Sequence, residues 1–182
     1  ALADFQREVR SNDILVWYVA SHGTLDNNAA YGIVLQDWDG KEREDSLFST
    51  NDILEATRRI KAFNQLVILD TCHAGGASSL VRGLYDARLA VLARNMGLHI
   101  FASASATEEA LDGYEGNGLF THTLLKGLRT GVADKNADRV VTVKELGEYA
   151  RRETMGLSQK IRLNQEPLLM NFGKDVNVYA IP

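Results

Sequence analysis

Cysteine and proline are scarce in this chain, and their scarcity excludes several classes of protein. The 182 residues include one cysteine and two prolines. A single cysteine cannot form an internal disulfide or supply a cysteine-rich zinc site, and it favours a reducing, cytoplasmic location. With apolar residues at 45% and charged residues at 24%, the composition is typical of a globular protein rather than of a disordered or collagen-like one.

The chain also has no excess of positive charge and no long hydrophobic run. Lys and Arg number 20 against 24 Asp and Glu, which gives a net charge of -4. This balance argues against a nucleic-acid partner, because binding to a phosphate backbone depends on cationic side chains. The longest apolar run, residues 14–20, is far shorter than the roughly 20 residues that cross a bilayer, and no signal peptide is evident. We therefore expect no membrane partner.

The length suits one ordinary domain, and no internal repeat or linker divides it. We therefore interpret residues 1–182 as a single domain. The sequence begins with Ala1 rather than Met, directly inside an amphipathic segment. For this reason we expect the domain to be incomplete at its amino terminus or to be a processed product.

Apolar segments and helical segments alternate along the chain. Buried strands are predicted at 14–20, 66–69 and 98–102, and shorter strands at 31–35 and 176–179. The first segment is apolar throughout, so we expect it to be covered on both faces. Helical spacing is found at 50–63, with Thr50 or Asn51 as the N-cap, and at 118–129 and 143–155. This alternation predicts an α/β fold with a mostly parallel sheet.

Two of the predicted strands run into sequence that is suited to nucleophilic catalysis. The first ends in Ser21-His22-Gly23, and the second ends in Asp70-Thr-Cys72-His73-Ala-Gly75-Gly76. Because the carboxyl ends of parallel strands share one edge of a sheet, we expect His22 and Cys72 to meet there. A thiol beside an imidazole can attack a carbonyl carbon, and the neighbouring glycines allow a substrate backbone to approach closely.

The spacing between the two motifs is also informative. His22 and Cys72 are 50 residues apart, and the His-to-Cys interval of caspases is about 50 residues. A third segment follows in the same order, with Phe101–Ser105, Glu109–Asp112 and then Gly118–Thr121 at the start of a helix. Together these motifs resemble the caspase-like cysteine peptidases. They are closer to the metacaspase and paracaspase branches, of prokaryotic type, than to animal caspases.

The resemblance implies a fold as well as a reaction. It implies a three-layer α/β/α domain in which helices flank a mostly parallel sheet. Caspase-like domains open with further strands before the histidine strand, but only about a dozen residues precede it here. The sheet is therefore expected to lack its first strand or strands. Partners are expected to be a protein or peptide substrate, and an N-terminal fragment or a regulatory sensor domain or protein.

The resemblance also implies roles for individual residues. Cys72 would be the nucleophile and His22 the general base, and the amides of Gly23 and Cys72 would stabilise the oxyanion. Asp70 lies two residues before Cys72, so its side chain is expected on the same side of the strand. With Asp112 it would line a substrate pocket for Arg or Lys, and the enzyme would form a thioester. The start at Ala1 further suggests the hypothesis that the protein cleaves itself after a basic residue.

Simpler interpretations of the same residues remain open. Cys72 could be a buried structural thiol, His22 a polar strand-end residue, Asp70 a turn residue and Asp112 a solvated loop residue. His73, His99 and His122 receive no catalytic role. In place of an active peptidase, the domain could be a non-catalytic caspase-like scaffold.

One further segment matches the pattern of an EF-hand calcium loop. Its candidate ligands at positions 1, 3, 5 and 12 are Asp134, Asn136, Asp138 and Glu145. Position 6, which is normally glycine, is Arg139, and a cation there should weaken calcium binding. The sequence therefore admits a calcium-responsive interaction module as another alternative, whereas the peptidase reaction itself requires no cofactor.

Overall fold

The computed structural model describes residues 6–25, 31–38, 47–71, 97–104 and 110–182. In the first half of the chain the elements are β1 (Ile14–Ser21), β2 (Gly23–Leu25), β3 (Tyr31–Val34), β4 (Leu47–Ser49), α1 (Thr50–Arg59) and β5 (Asn64–Thr71). In the second half they are β6 (Leu98–Ala102), α2 (Leu119–Arg129), β7 (Val140–Thr142), α3 (Val143–Lys160), β8 (Leu168–Asn171) and β9 (Asn177–Ala180).

The central sheet places the ends of three parallel strands at one edge. Its strand order is β1-β5-β6-β8, in which β1, β5 and β6 are parallel and β8 is antiparallel to β6. Ser21 at the end of β1 pairs with Thr71 at the end of β5, and Leu69 pairs with Ala102 at the end of β6. The predicted α/β fold with a mostly parallel sheet is confirmed.

Helices cover both faces of this sheet. The side chains of β5 alternate between the two faces, so they pack against helices on each side. Val67 and Leu69 pack with Ile53 of α1 in one core cluster. Leu66 and Ile68 pack on the other face, with residues of α2 and α3. The α1 helix begins with a capping box in which Ser49 and Asp52 bond to each other's backbone N–H groups. The predicted N-cap, Thr50 or Asn51, is therefore wrong by one or two positions.

Strand β1 differs from its prediction. Its residues alternate between exposed and half-buried, and Val16 and Tyr18 are 51% and 49% exposed. Trp17 and Val19 pack against the core on the α1 side. The prediction that β1 is covered on both faces is wrong because β1 is the outer strand of the described sheet, and Val16 and Tyr18 on the face opposite α1 are about half exposed.

Two smaller sheets complete the described structure. Strands β2, β3 and β4 form an antiparallel sheet that continues directly from β1, and β7 pairs with β9. The predicted terminal strand at 176–179 is thus present as β9, but it lies outside the central sheet. Within the described ranges, no helix combines the length and the hydrophobicity that crossing a bilayer requires.

Candidate active site

His22 lies where the chain leaves the parallel sheet and enters the antiparallel one. Its carbonyl oxygen accepts a hydrogen bond from the Val34 N–H at 2.9 Å. The neighbouring Ser21 hydroxyl donates to the Val34 carbonyl at 2.8 Å. The imidazole itself is exposed. The hairpin strand β3 therefore holds the backbone of His22 while its side chain remains accessible from solvent.

Thr71, the residue that directly precedes Cys72 in the sequence, is held by three hydrogen bonds. Its N–H donates to the Ser103 hydroxyl oxygen at 3.2 Å, and that hydroxyl donates to the Thr71 carbonyl at 3.1 Å. The Thr71 hydroxyl is hydrogen-bonded to the buried Tyr31 hydroxyl. Cys72, His73 and the glycines after them lie outside the described residues. The sequence predicts no role at the site for Tyr31, and Ser103 is only one residue of the segment 101–105.

Asp70 is buried at the end of β5 and caps the amino terminus of α2. Its Oδ2 accepts hydrogen bonds from the Thr121 hydroxyl and, at 3.3 Å, from the Thr121 N–H. Gly118 is the N-cap of α2 and supplies no side-chain hydrogen bond. A Cβ at Gly118 would lie 3.0 Å from Asp70 Cγ and closer still to Oδ2. The carboxylate thus occupies the place of an N-cap side chain, where the helix dipole favours negative charge.

The environment of Asp70 acts on its pKa in both directions. Burial raises the pKa above the ordinary value of 3.8, whereas hydrogen bonds from Thr121 and Ser103 lower it and the Asp112 carboxylate raises it again. The net direction is upward. A cation between the two carboxylates would therefore offset the cost of burying the Asp70 charge. It would also reduce the repulsion between Asp70 and Asp112.

A cavity of about 230 Å³ joins the predicted site residues. Its described lining consists of Ala20, Ser21, His22, Asp70, Ala110, Leu111, Asp112 and Gly118. The structure thus brings His22, Asp70 and Asp112 together around one space. The described lining carries two carboxylates and no Lys or Arg, so the cavity favours a cationic ligand.

Gln165, for which the sequence predicts no role, fixes the segment that carries Asp112. Its side-chain amide donates to the Ser103 carbonyl at 2.8 Å and accepts from the Leu111 N–H at 3.0 Å. The Leu111 carbonyl in turn accepts from the Leu119 N–H at the start of α2, at 2.8 Å. Both backbone groups of Leu111 are therefore bonded, which sets the position of the adjacent Asp112. A lone buried glutamine gives no recognisable pattern in sequence.

His99 and His122 have structural surroundings. The buried His99 ring bonds to the Asn171 side chain at 2.8 Å and to the Lys174 carbonyl at 3.1 Å. His122 lies 3.5 Å from the Glu115 carboxylate and meets the Tyr114 ring edge-on. Neither lines the described part of the cavity.

In the predicted calcium loop, candidate ligand side chains are hydrogen-bonded to the loop's own backbone. Asp134 accepts from the N–H groups of Ala137 and Arg139, both at 2.8 Å, and these two residues have φ angles of 61° and 67°. Glu145 forms the capping box of α3 with Thr142. Across the described ranges, no three His, Cys, Asp or Glu side chains are grouped so that they could hold a metal ion. Calcium binding by Asp134, Asn136, Asp138 and Glu145 stays a prediction.

This chain is similar to known proteins both in family and in fold. The family model of the caspase domain, peptidase family C14, matches residues 1–171. No curated protein matches the chain. Among solved structures, the fold is similar to that of the protein GSU0716 from Geobacter sulfurreducens. The TM-score is 0.59 and the identity 13%, over 95% of this chain and 71% of that one. At this identity the likeness concerns the fold alone. From the family match, the chain belongs to the caspase-domain family of cysteine peptidases.

Proposed function

We propose that the chain is a cysteine endopeptidase in which Cys72 and His22 form the catalytic dyad and an acidic pocket selects Arg or Lys. The observation that carries the proposal is the cavity in which the exposed imidazole of His22 shares one space with the carboxylates of Asp70 and Asp112. A general base that borders an anionic pocket can serve cleavage of the peptide bond that follows a bound cationic side chain.

Strand register supports the dyad. Ser21 and Thr71 are register partners on adjacent parallel strands, and each directly precedes one of the two dyad residues. Neighbouring strands lie about 4.8 Å apart, so the chain continues from two adjacent positions at the sheet edge into His22 and into Cys72. This register supports the pairing of a thiol with an imidazole at that edge.

The reaction follows from the two groups. His22 takes the thiol proton, and the Cys72 sulfur attacks the substrate carbonyl carbon to give a tetrahedral oxyanion. When the C–N bond breaks, the protonated imidazole gives its proton to the leaving amine and a thioester remains. Water then attacks the thioester with His22 as the base, which releases the carboxylic acid and restores the thiol. We assign stabilisation of the oxyanion to the amides of Gly23 and Cys72.

The pocket accounts for specificity. Asp70 supplies a buried carboxylate and Asp112 a more exposed one on the opposite segment. Guanidinium and ammonium groups bind carboxylates strongly where water is partly excluded. An Asp side chain at the same position would add a third negative charge. We therefore expect turnover of peptides that end in Arg or Lys, and rejection of those that end in Asp.

The test uses matched fluorogenic peptides that end in Arg, citrulline or Asp. The wild-type chain should cleave the Arg peptide most rapidly, and Cys72→Ala and His22→Ala should abolish this cleavage. His73→Ala, which removes the histidine next to the nucleophile, should remain active. Turnover that survives Cys72→Ala would contradict the dyad, and equal cleavage of the Arg and Asp peptides would contradict the pocket. Complete inactivity of the wild type would favour a scaffold.

The proposal extends to self-processing. Intact-mass spectra of freshly purified wild type and Cys72→Ala should differ, because only the wild type can cleave after its own Arg or Lys residues. Identical termini in the two proteins would show that this chain is not its own substrate.

A further inference from the structure

Asp70 is connected to a tyrosine on the outer strand through the first turn of α2. The Tyr18 hydroxyl lies 2.7 Å from the Thr121 hydroxyl, and the same Thr121 hydroxyl donates to Asp70 Oδ2. Tyr18 and Thr121 are 103 residues apart in sequence. Although the Tyr18 residue is 49% exposed, its hydroxyl is bonded to Thr121 at the site.

The proton positions along this chain of groups follow from their chemistry. An ionised carboxylate can only accept hydrogen bonds, so the single hydroxyl proton of Thr121 is donated to Asp70. In its contact with Tyr18, the Thr121 oxygen must then act as the acceptor and Tyr18 as the donor. The two hydrogen bonds point the same way, toward the carboxylate, and each polarises the other.

We propose that Tyr18 and Thr121 are positioning residues for substrate selection, which hold the Asp70 carboxylate in place as an anion for a cationic substrate side chain. The inference rests on the proposed function and concerns the same pocket. Both Thr121 bonds end on Oδ2, so Oδ1 is the oxygen that Thr121 leaves for a guanidinium or ammonium group. Without the Tyr18 hydroxyl, the Thr121 oxygen loses the donor that polarises its hydrogen bond to Asp70, and that bond becomes weaker.

Other groups around Asp70 act on the same charge. Asp112 faces it from the segment ahead of α2, and His22 lines the same cavity from the end of β1. Ser103, on the segment that follows β6, also lowers the pKa of this carboxylate. A pH measurement must therefore separate Asp70 from the dyad. The ratio of kcat/KM for an Arg peptide to that for its citrulline analogue does so, because dyad titration affects both substrates alike whereas only Arg is charged.

Single hydroxyl deletions test the proposal. Tyr18→Phe should lower the Arg-to-citrulline ratio about threefold and Thr121→Val about tenfold, because hydrogen bonds to charged groups are among the stronger ones. The loss should appear as a higher KM for the Arg peptide rather than as a lower kcat. Thr121→Ser keeps the hydroxyl and should rescue the ratio. Tyr179→Phe, which removes a hydroxyl on β9, is the matched control.

The pH dependence of the preference for Arg distinguishes a positioning role from a purely structural one. Hydrogen bonds from Thr121 lower the pKa of Asp70, so their loss should raise it. As the pH falls, the preference for Arg should then disappear at a higher pH in Tyr18→Phe and Thr121→Val than in wild type.

The outcomes separate this inference from the proposed function. A wild type that prefers Arg, together with a Tyr18→Phe variant of unchanged ratio and unchanged pH midpoint, would overturn the positioning role alone. A wild type without preference for Arg would overturn the basic pocket and the positioning role with it. If Thr121→Val fails to fold, Tyr18→Phe decides the question, because that change removes only one hydroxyl from a half-exposed residue.

Discussion

The Asp70 carboxylate on β5 accepts the backbone N–H of Thr121, at 3.3 Å, and so caps helix α2 from a neighbouring strand. The same carboxylate lines the cavity next to His22. Helix capping and pocket formation therefore depend on one side chain, and changes at this contact should affect both stability and substrate selection.

Gly118→Ala is expected to disturb this contact, because a Cβ at Gly118 would lie 3.0 Å from Asp70 Cγ. Crowding of this kind costs about 1–3 kcal/mol of unfolding free energy. It should also raise KM for Arg peptides by displacing the carboxylate. Urea denaturation and peptide kinetics measure the two effects.

Gly156→Ala is the matched control, since no atom lies within 4 Å of the added Cβ in α3. A helix gains up to about 1 kcal/mol from such a change. Equal stability of the two variants would refute close packing of Asp70 against Gly118.

Asp70 should make stability depend on pH in a defined direction. Burial raises its pKa above 3.8, so the folded chain binds this proton more tightly than the unfolded chain does. The corresponding stability is complete below 3.8 and is lost as the pH rises through the raised pKa. Relative to Asp70→Asn, the wild type should therefore lose stability toward neutral pH. Urea denaturation of both proteins from about pH 4 to about pH 7 measures the difference, and parallel pH profiles would contradict it.

Gln165→Leu should destabilise the fold and weaken substrate binding together. The change leaves the Ser103 carbonyl and the Leu111 N–H without their side-chain partner. Unsatisfied buried groups cost about 1–3 kcal/mol each. The segment around Leu111 would be held less firmly. The adjacent Asp112 should then be less well placed in the pocket, which should raise KM for Arg peptides. Gln159→Leu, at an exposed position of α3, should change stability by no more than about 0.5 kcal/mol. A similar effect of both substitutions would exclude a specific role for Gln165.

Arg139→Gly tests the predicted calcium loop. Arg139 has a φ angle of 67°, and such a conformation costs a residue with a side chain about 1 kcal/mol relative to glycine. The variant should therefore be more stable than wild type. Because the substitution also removes a positive charge, Ca²⁺ should raise its Tm more than that of wild type, and Asp134→Asn should abolish the response. Identical Tm values with and without Ca²⁺ in all three proteins would end the calcium prediction.

Much of the fold could be predicted from the sequence because its signals are local. Apolar runs at 66–69 and 98–102 predict two central strands, and helical spacing predicts α2 and α3. The N-cap of α1 was predicted at Thr50 or Asn51 instead of Ser49, because Ser, Thr and Asn in succession are all acceptable N-cap residues. Strand β8 was missed, since a short segment after Pro167 carries little pattern.

The sequence by itself determined that His22 and Asp70 lie at the ends of two strands, because continuous apolar runs mark the strands and these residues follow the runs directly in the chain. Only the tertiary structure decided that Asp70 caps α2, that the Tyr18 hydroxyl meets Thr121 and that Gln165 bonds to both Ser103 and Leu111. These contacts join residues that are distant in sequence. Their hydrogen bonds depend on how strands and helices pack, which no local pattern records.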